Sequence, residues 1–300
     1  MRATVPVIEP NDPADGVCGL SGRAKVAGVM GWPVAHSLSP RLHGYWLRHY
    51  RIDGAYVPMP VRPQDLDQAL AALAALGFVG VNVTIPHKEA ALAAVHEVSR
   101  TARRIGAVNT IVVDEHRRLS ATNTDAFGFI ASLDDARPGW RAEHGPAVLL
   151  GAGGAARAIA VALCDAGAAE VRIVNRDGER ARRLAERLGG RARAVAWSER
   201  GRALSGAGLL VNATSLGMAG MPALDLDVSL LPAHAPVVDI VYAPLRTALL
   251  ASAADHGHAV VDGLGMLLHQ ARPAFKAWFG VDPEVTPALR AHIERALGAR

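Results

Sequence analysis

Residues 147–158, AVLLGAGGAARA, carry the first pattern in the chain with a chemical meaning. The apolar run Val148–Leu150 leads into Gly151, Gly153 and Ala156 at the spacing G-x-G-x-x-G/A, and a helix-period segment follows. In such a turn Gly151 permits the tight bend, Gly153 lets the backbone approach a pyrophosphate, and the small Ala156 lets helix and strand pack closely. Free N–H groups and the dipole at the helix N-terminus favour the diphosphate. A glycine pattern alone is weak, but this one sits in the strand–turn–helix setting it requires and points to an enzyme using NAD or NADP. The next strand ends in Val174-Asn175-Arg176, with Arg180 one helical turn on. No acidic residue stands at Asn175 to take an adenosine ribose hydroxyl, whereas guanidinium groups suit a 2′-phosphate. NADP is favoured on that charge argument. Asp177 opposes it by repelling a phosphate, unless its carboxylate caps the following helix.

Four polar segments lie upstream, each where a strand gives way to a loop or helix. In Gly31–Pro40 the hydroxyls of Ser37 and Ser39 precede a helix. Ser39-Pro40 makes a good N-cap and first-turn pair, and capping alone accounts for it. The same hydroxyls could hold a small carboxylate. His36 lies near them but reads as structural. In Asn82–Glu89, Asn82 and Thr84 share a strand face. Pro86 is expected to start a helix with Lys88 in its first turn, where the dipole disfavours a cation. Lys88 is then either a solvated surface group or a lysine that shuttles a proton, while His87 reads as packing. Asn109, in Gly106–Thr110, presents an amide that both donates and accepts. The segment Thr122–Asp125, ahead of an apolar helix, is either an N-cap or presents a carboxylate facing Lys88.

The elements that must position these groups alternate along the chain. Strands are expected at 25–30, 56–60, 79–83, 108–113, 147–150, 171–174, 192–196, 209–211, 236–240 and 259–261. Helices are expected at 39–50, 63–76, 86–95, 125–133, 154–165, 177–188, 247–256 and 264–279. The alternation reads as parallel α/β architecture, with 135–146 separating two units and residues 1–24 forming a loose leader. A length of 300 residues suits two domains. The net charge of +4 could suggest a nucleic-acid partner. However, the arginines are spread over amphipathic helices, and Lys25, Lys88 and Lys276 are the only lysines. Neither nucleic acid nor membrane is expected as a partner. Cys18 and Cys164 are far apart with no metal-ligand spacing, and the N-terminus lacks a secretory pattern, so a reducing cytoplasm fits and no metal is expected.

Together these segments resemble the shikimate dehydrogenase family from about Val26 to Gly280. The resemblance rests on GWPVAHSLSP, NVTIPHKE, GAVNT, NTD, GAGGAARA, NR, NATSLGM at 212–218, DIVYAPLRT at 239–247 and DGLGMLLHQA at 262–271, in that order. It implies reversible NADP-dependent reduction of 3-dehydroshikimate to shikimate, a step of aromatic amino-acid synthesis. It further implies that Lys88, paired with Asp125, handles the proton of the alcohol oxygen. By the same analogy Ser37, Ser39 and Tyr242 hold the ring carboxylate, and Thr84, Asn109 and Gln270 read the ring hydroxyls. Gly151, Ala152, Gly153, Gly154, Ala155, Asn175, Arg176 and Arg180 hold the cofactor, with Ile240 and Gly263 near the nicotinamide. The implied fold is a two-domain α/β chain. A discontinuous substrate domain (25–124 and 262–300) and a Rossmann-like domain (125–261) flank a cleft that closes on binding. The chain departs from the family pattern with Gly44 for the usual Asn, Asp177 for Thr and Ala126 for Gly.

Two rival readings stand beside this one. A paralogue acting on quinate, with NAD or with both cofactors, fits much of the same pattern. A non-catalytic shikimate- or quinate-sensing module would lose the lysine–aspartate pair or add a DNA-binding domain, and neither is seen. The expected partner is a small molecule, and the chain is a monomer or a homodimer.

Overall fold

A computed structural model of the chain describes residues 19–298. The first sheet contains β1 (Lys25–Gly31), β2 (Gly54–Pro60), β3 (Phe78–Val83), β4 (Glu97–Val98), β5 (Thr110–Val113) and β6 (Leu119–Thr122), in the order β2-β1-β3-β5-β6-β4. Between them lie α1 (Ser39–His49), α2 (Leu66–Ala75) and α3 (Arg100–Ile105). Then α4 (Asp125–Ala136) leads into a second sheet. Its strands are β7 (Ala147–Leu150), β8 (Val171–Asn175), β9 (Ala192–Ala196), β10 (Leu209–Asn212), β11 (Val237–Asp239) and β12 (Val260–Val261), in the order β12-β11-β10-β7-β8-β9. The helices α5 (Gly154–Asp165), α6 (Gly178–Leu188) and α7 (Ala248–Asp255) connect them, and α8 (Gly263–Phe279) and α9 (Pro287–Gly298) end the described chain.

The second sheet is parallel throughout and has the doubly wound order of a dinucleotide fold. Its central strand is buried on both faces, which is why it reads as an unbroken apolar run. The first sheet is parallel except at one strand. β5 runs antiparallel to β3 and forms a hairpin with β6. Strands of two and four residues at β4 and β6 are too short to show a period, and the expected strand at 108–113 begins only at Thr110. Helices α3 and α9 were not anticipated either; α3 is a six-residue helix capped by Ser99 and closed by left-handed Gly106.

The largest correction concerns residues 86–95. They form turns and a short 3-10 segment, Ala90–Leu92, not a helix. His87 N–H donates to Thr84 O at 2.9 Å, and the Lys88 carbonyl accepts from Val108 N at 2.8 Å. That tertiary bond takes the acceptor a helix would use, and it outweighs the helical propensity of an alanine-rich stretch. Lys88 therefore stands in a loop, free of any helix dipole. Residues 1–18 of the expected leader lie outside the described residues. Within the rest of it, Ser21 N donates to Asp53 Oδ1 at 3.1 Å and fastens the chain beside β2.

After leaving the second sheet the chain returns to the first. Leu264, Leu268, Phe275, Trp278, Leu289 and Ile293 of α8 and α9 share one core with Ala27, Val29, Leu42 and Trp46. Trp278 approaches β3 so closely that its indole N–H reaches Ile111 O at 3.0 Å over Gly80, where any Cβ would collide with the indole. The same core encloses His43 of α1. Its ring stacks on Tyr56 at 4.1 Å and 3°, beside Trp46, Phe275 and Trp278. Neither ring nitrogen has a hydrogen-bond partner among the described residues.

Burial lowers the His43 pKa from 6.5 to about 3. The unfolded chain takes up this proton below pH 6.5, whereas the folded chain resists it down to about pH 3. The stability tied to neutral His43 is thus present above pH 6.5 and is lost as pH falls toward 3, at about 1.4 kcal/mol per pH unit. Urea unfolding between pH 7 and pH 5 is expected to show a shallower loss of stability in His43→Leu than in the parent. Equal slopes would show that His43 does not carry this linkage.

Candidate active site and cofactor cleft

Loops from both sheets line a cavity of about 460 Å³ between them. Ser37, Ser39, Thr84, Lys88, Asn109, Asp125, Ala155, Ile240, Tyr242, Gly263 and Gln270 all face it. The whole set expected to touch substrate or carry the proton is therefore brought together, although it is scattered over more than two hundred residues of sequence.

The centre is an ion pair. Lys88 Nζ lies 2.7 Å from Asp125 Oδ2, with the lysine side chain 22% exposed and the aspartate 8%. Asp125 is the first residue of α4, where the helix dipole favours a carboxylate. Asn123 Oδ1 accepts from Asp125 N at 3.0 Å, and Asn123 Nδ2 donates to Ala107 O at 3.0 Å, which ties this helix start to the first sheet. The N-cap position belongs to Thr124, whose side chain makes no cap bond.

Asn109 organises the groups around the pair. Its Oδ1 accepts from Thr124 N at 2.9 Å and from Thr110 Oγ1 at 3.0 Å. Its Nδ2 lies 2.8 Å from Asp125 Oδ1, 3.0 Å from Thr124 Oγ1 and 3.3 Å from Gln270 Oε1. Two N–H groups cannot serve three acceptors fully. The longest contact is the one to Gln270, which leaves that carbonyl oxygen with capacity for an outside donor. Below, Asn82 Nδ2 donates to Asn109 O at 3.0 Å and Tyr56 OH donates to Asn82 Oδ1 at 2.7 Å. Burial pushes the Tyr56 phenol well above its ordinary pKa, partly offset by a hydrogen bond with Ser39. Ser39 is the first residue of α1 and not its cap. The cap position is Leu38, and Ser39 lines the cavity. Ser37 Oγ accepts from Ser39 N at 3.3 Å.

The far wall comes from the second sheet. Buried Asp239 accepts from Val241 N and Asn212 Nδ2 at 3.0 Å and from Thr247 Oγ1 at 2.7 Å, which shapes the loop carrying Ile240 and Tyr242. Burial raises the pKa of this carboxyl, while those three bonds pull it down. Gly263 has to be glycine, since a Cβ would overlap Ile240 O.

A second cavity of about 330 Å³ adjoins the glycine turn and is lined by Ala152, Gly153, Arg180 and Leu184, with Glu89, Arg157, Arg183 and Arg187. Gly151 has φ +113°, and its missing Cβ would meet Ala213 O at 2.7 Å, so both conformation and packing demand glycine. Gly153 is different. It is the N-cap of α5, offers no side-chain cap, and has open space over its Cα. The α5 N–H groups are therefore available to an anion, as a dinucleotide site needs. Asp177 Oδ1 accepts from Glu179 N at 3.0 Å and Arg180 N at 3.2 Å, the capping role. Asn175 Nδ2 donates to Asp177 O at 2.9 Å. Asn175 and Arg176 line neither cavity, whereas Arg180 lines the second.

Comparison with known proteins agrees with this geometry. The family profile "Shikimate dehydrogenase substrate binding domain" matches residues 29–111, "Shikimate / quinate 5-dehydrogenase" matches 140–219, and "Shikimate 5'-dehydrogenase C-terminal domain" matches 263–291. A shikimate dehydrogenase (NADP(+)) of Rhodospirillum rubrum is 60% identical over 278 residues, 91% of this chain and 98% of that protein. The chain belongs to the shikimate dehydrogenase family. Among solved structures, the Thermus thermophilus shikimate 5-dehydrogenase in complex with NADP(H) and shikimate is 40% identical. It has a TM-score of 0.80 and covers 92% of this chain and 99% of its own. A Corynebacterium glutamicum quinate dehydrogenase in complex with NAD is 31% identical with a TM-score of 0.85, over 91% of this chain and 99% of its own.

Some residues of the site had no readable signal. Glu89 pairs with Arg157 across 68 positions of sequence, linking the Lys88 loop to α5. Gly128 of α4 faces α8, where a Cβ would stand 2.8 Å from the backbone N and Cα of Gln270. That close crossing sets Gln270 beside Asn109. Gly128→Ala is expected to overpack the crossing and lower unfolding stability by about 1–3 kcal/mol. An unchanged urea midpoint would show that the helices have slack there.

Proposed function

We propose that this chain catalyses the reversible reduction of 3-dehydroshikimate to shikimate with NADPH in aromatic amino-acid synthesis. The observation that carries the reading is the Lys88–Asp125 pair inside a cavity lined by hydroxyl and amide side chains. The cofactor fits the uncapped α5 N-terminus and the open turn at Gly153, with Gly151–Ala155 for the diphosphate and Ile240 and Gly263 at the nicotinamide end. Asn175, Arg176 and Arg180 are assigned to its adenosine end. When bound, the nicotinamide supplies or accepts the hydride.

The chain's own residues do the rest. Ser37, Ser39 and Tyr242 hold the ring carboxylate from one side of the cavity. Thr84, Asn109 and Gln270 meet the ring hydroxyls; Gln270 Oε1 accepts and the Asn109 carboxamide orients it. Lys88 delivers its proton to the ketone oxygen during reduction and receives it back in the reverse direction. Asp125 keeps the ammonium aimed. Exposed Trp32, Ile85 and Met218 form an apolar rim that restricts water near the reacting atoms. We take residues 25–124 with 262–300 as the substrate-binding domain and 125–261 as the nucleotide domain. The expected setting is cytoplasmic, with the chain acting alone or as a homodimer.

Quinate is the second reading, because one relative in fold is a quinate dehydrogenase with NAD. Steady-state rates with each acid and each cofactor decide between them; a marked preference for quinate with NAD would refute the proposal. Lys88→Ala is expected to lower kcat by roughly 10²–10⁴ with little change in shikimate binding. Near-normal turnover would remove Lys88 from the reaction.

A further inference from the structure

The second cavity holds four guanidinium groups and one carboxylate, and the partners of those groups are unequal. Arg157 is held by Glu89 and donates to Gly106 O at 3.4 Å. Arg187 reaches Ile105 O at 3.5 Å, so both lean on the end of α3. Arg180 Nε lies 3.4 Å from Asp177 Oδ2, the carboxylate that also caps α6. Arg183 makes no hydrogen bond or ion pair among the described residues. On α6 the spacing of Arg180, Arg183 and Arg187 places them along one face, and that face closes a cavity whose opposite wall is Ala152 and Gly153 of the glycine turn.

A phosphate monoester entering this cavity meets two arginines paired with acids, Arg157 and Arg180, and two that are not, of which Arg187 leans on the Ile105 carbonyl and Arg183 has no such partner. Asp177 cannot turn away without uncapping α6. We propose that Arg183 is the specificity-determining residue for the adenosine 2′-phosphate, supplying a guanidinium that, unlike that of Arg180, is not shared with Asp177. This rests on the function proposed above. It assigns NADP preference to a residue one turn beyond Arg180, past the strand end where such preference is ordinarily read. Glu89 does not defeat it, because its charge is committed to Arg157.

The test is titration calorimetry with adenosine 2′,5′-bisphosphate and 5′-AMP, which differ only in the 2′-phosphate. The parent protein should favour the bisphosphate, and Arg183→Gln should cut that preference by about tenfold or more, the worth of a charge-assisted phosphate contact. Arg180→Gln should cut it less. Asp177→Asn, which keeps a capping side chain, should strengthen bisphosphate binding and shrink the cost of Arg183→Gln. A preference in Arg183→Gln within about twofold of the parent overturns the proposal. So does a larger loss at Arg180, or an equal cost of Arg183→Gln with and without Asp177. Shikimate oxidation by the parent is measured alongside. If it is absent while the binding preference still falls in Arg183→Gln, the functional reading fails and the anion assignment stands.

Discussion

The 2.7 Å contact between Lys88 and Asp125 can exist only if a turn, a hairpin and a helix start meet at one point. Lys88 comes from the loop after β3, Asp125 from the start of α4, and Asn109 from the segment before β5. Asn109 ties the last two together, since its carboxamide binds both the Asp125 side chain and the Thr124 backbone. The Val108 N–H on the Lys88 carbonyl ties in the first. A nearly buried carboxylate losing its ammonium would cost on the order of 3 kcal/mol, so neither partner can be removed alone without loosening the segments that form the site. The antiparallel hairpin β5–β6 in an otherwise parallel-stranded layer has a use in this light. It returns the chain over a few residues, bringing Asn109 and Asn123–Asp125 side by side, which a parallel crossover would separate.

The same site depends on how the two sheets are held relative to each other. α4 leaves the first sheet, packs on the second, and crosses α8 at Gly128 on its way. α8 packs on the first sheet and carries Gln270 into the cavity. Between the first sheet and α5, Glu89–Arg157 and Arg104–Asp165 add charged contacts beside the buried Ile105 and Ala107. Exposed pairs of this kind contribute little individually and yield to solvent. Buried packing, of α4 against α5 and α8 and of Ile105 and Ala107 against α5, is thus what holds the two sheets together.

Parts of this were legible in residue order and parts were not, for identifiable reasons. The β7–turn–α5 unit is local: buried strand, glycine positions and helix are contiguous, so its boundaries and conformation follow from short-range chemistry. The identities of Lys88, Asn109, Asp125 and Gln270 were legible through family pattern. The conformation carrying Lys88 was not, because a hydrogen bond from Val108, twenty residues on, replaces the local helical preference. Ser39 misled in a similar way, since a serine before proline looks like a cap, whereas the helix already includes it and the cap position falls to Leu38. Gly128 and the Glu89–Arg157 pair carry no sequence signal, as each matters only through an element distant in the chain.

The helices α5 and α6 begin in opposite ways, and that contrast divides the labour of binding a dinucleotide. At α5 the cap is Gly153, which leaves backbone N–H groups for a diphosphate and imposes no charge of its own. At α6 the cap is Asp177, whose carboxylate already satisfies the Glu179 and Arg180 N–H groups. A phosphate near that second terminus gains nothing from the backbone and meets a negative charge. It is favoured there only if side chains beyond the cap supply the compensating charge. The arginines along α6 are placed to do that, and the cap fixes how far along the helix an effective one must stand.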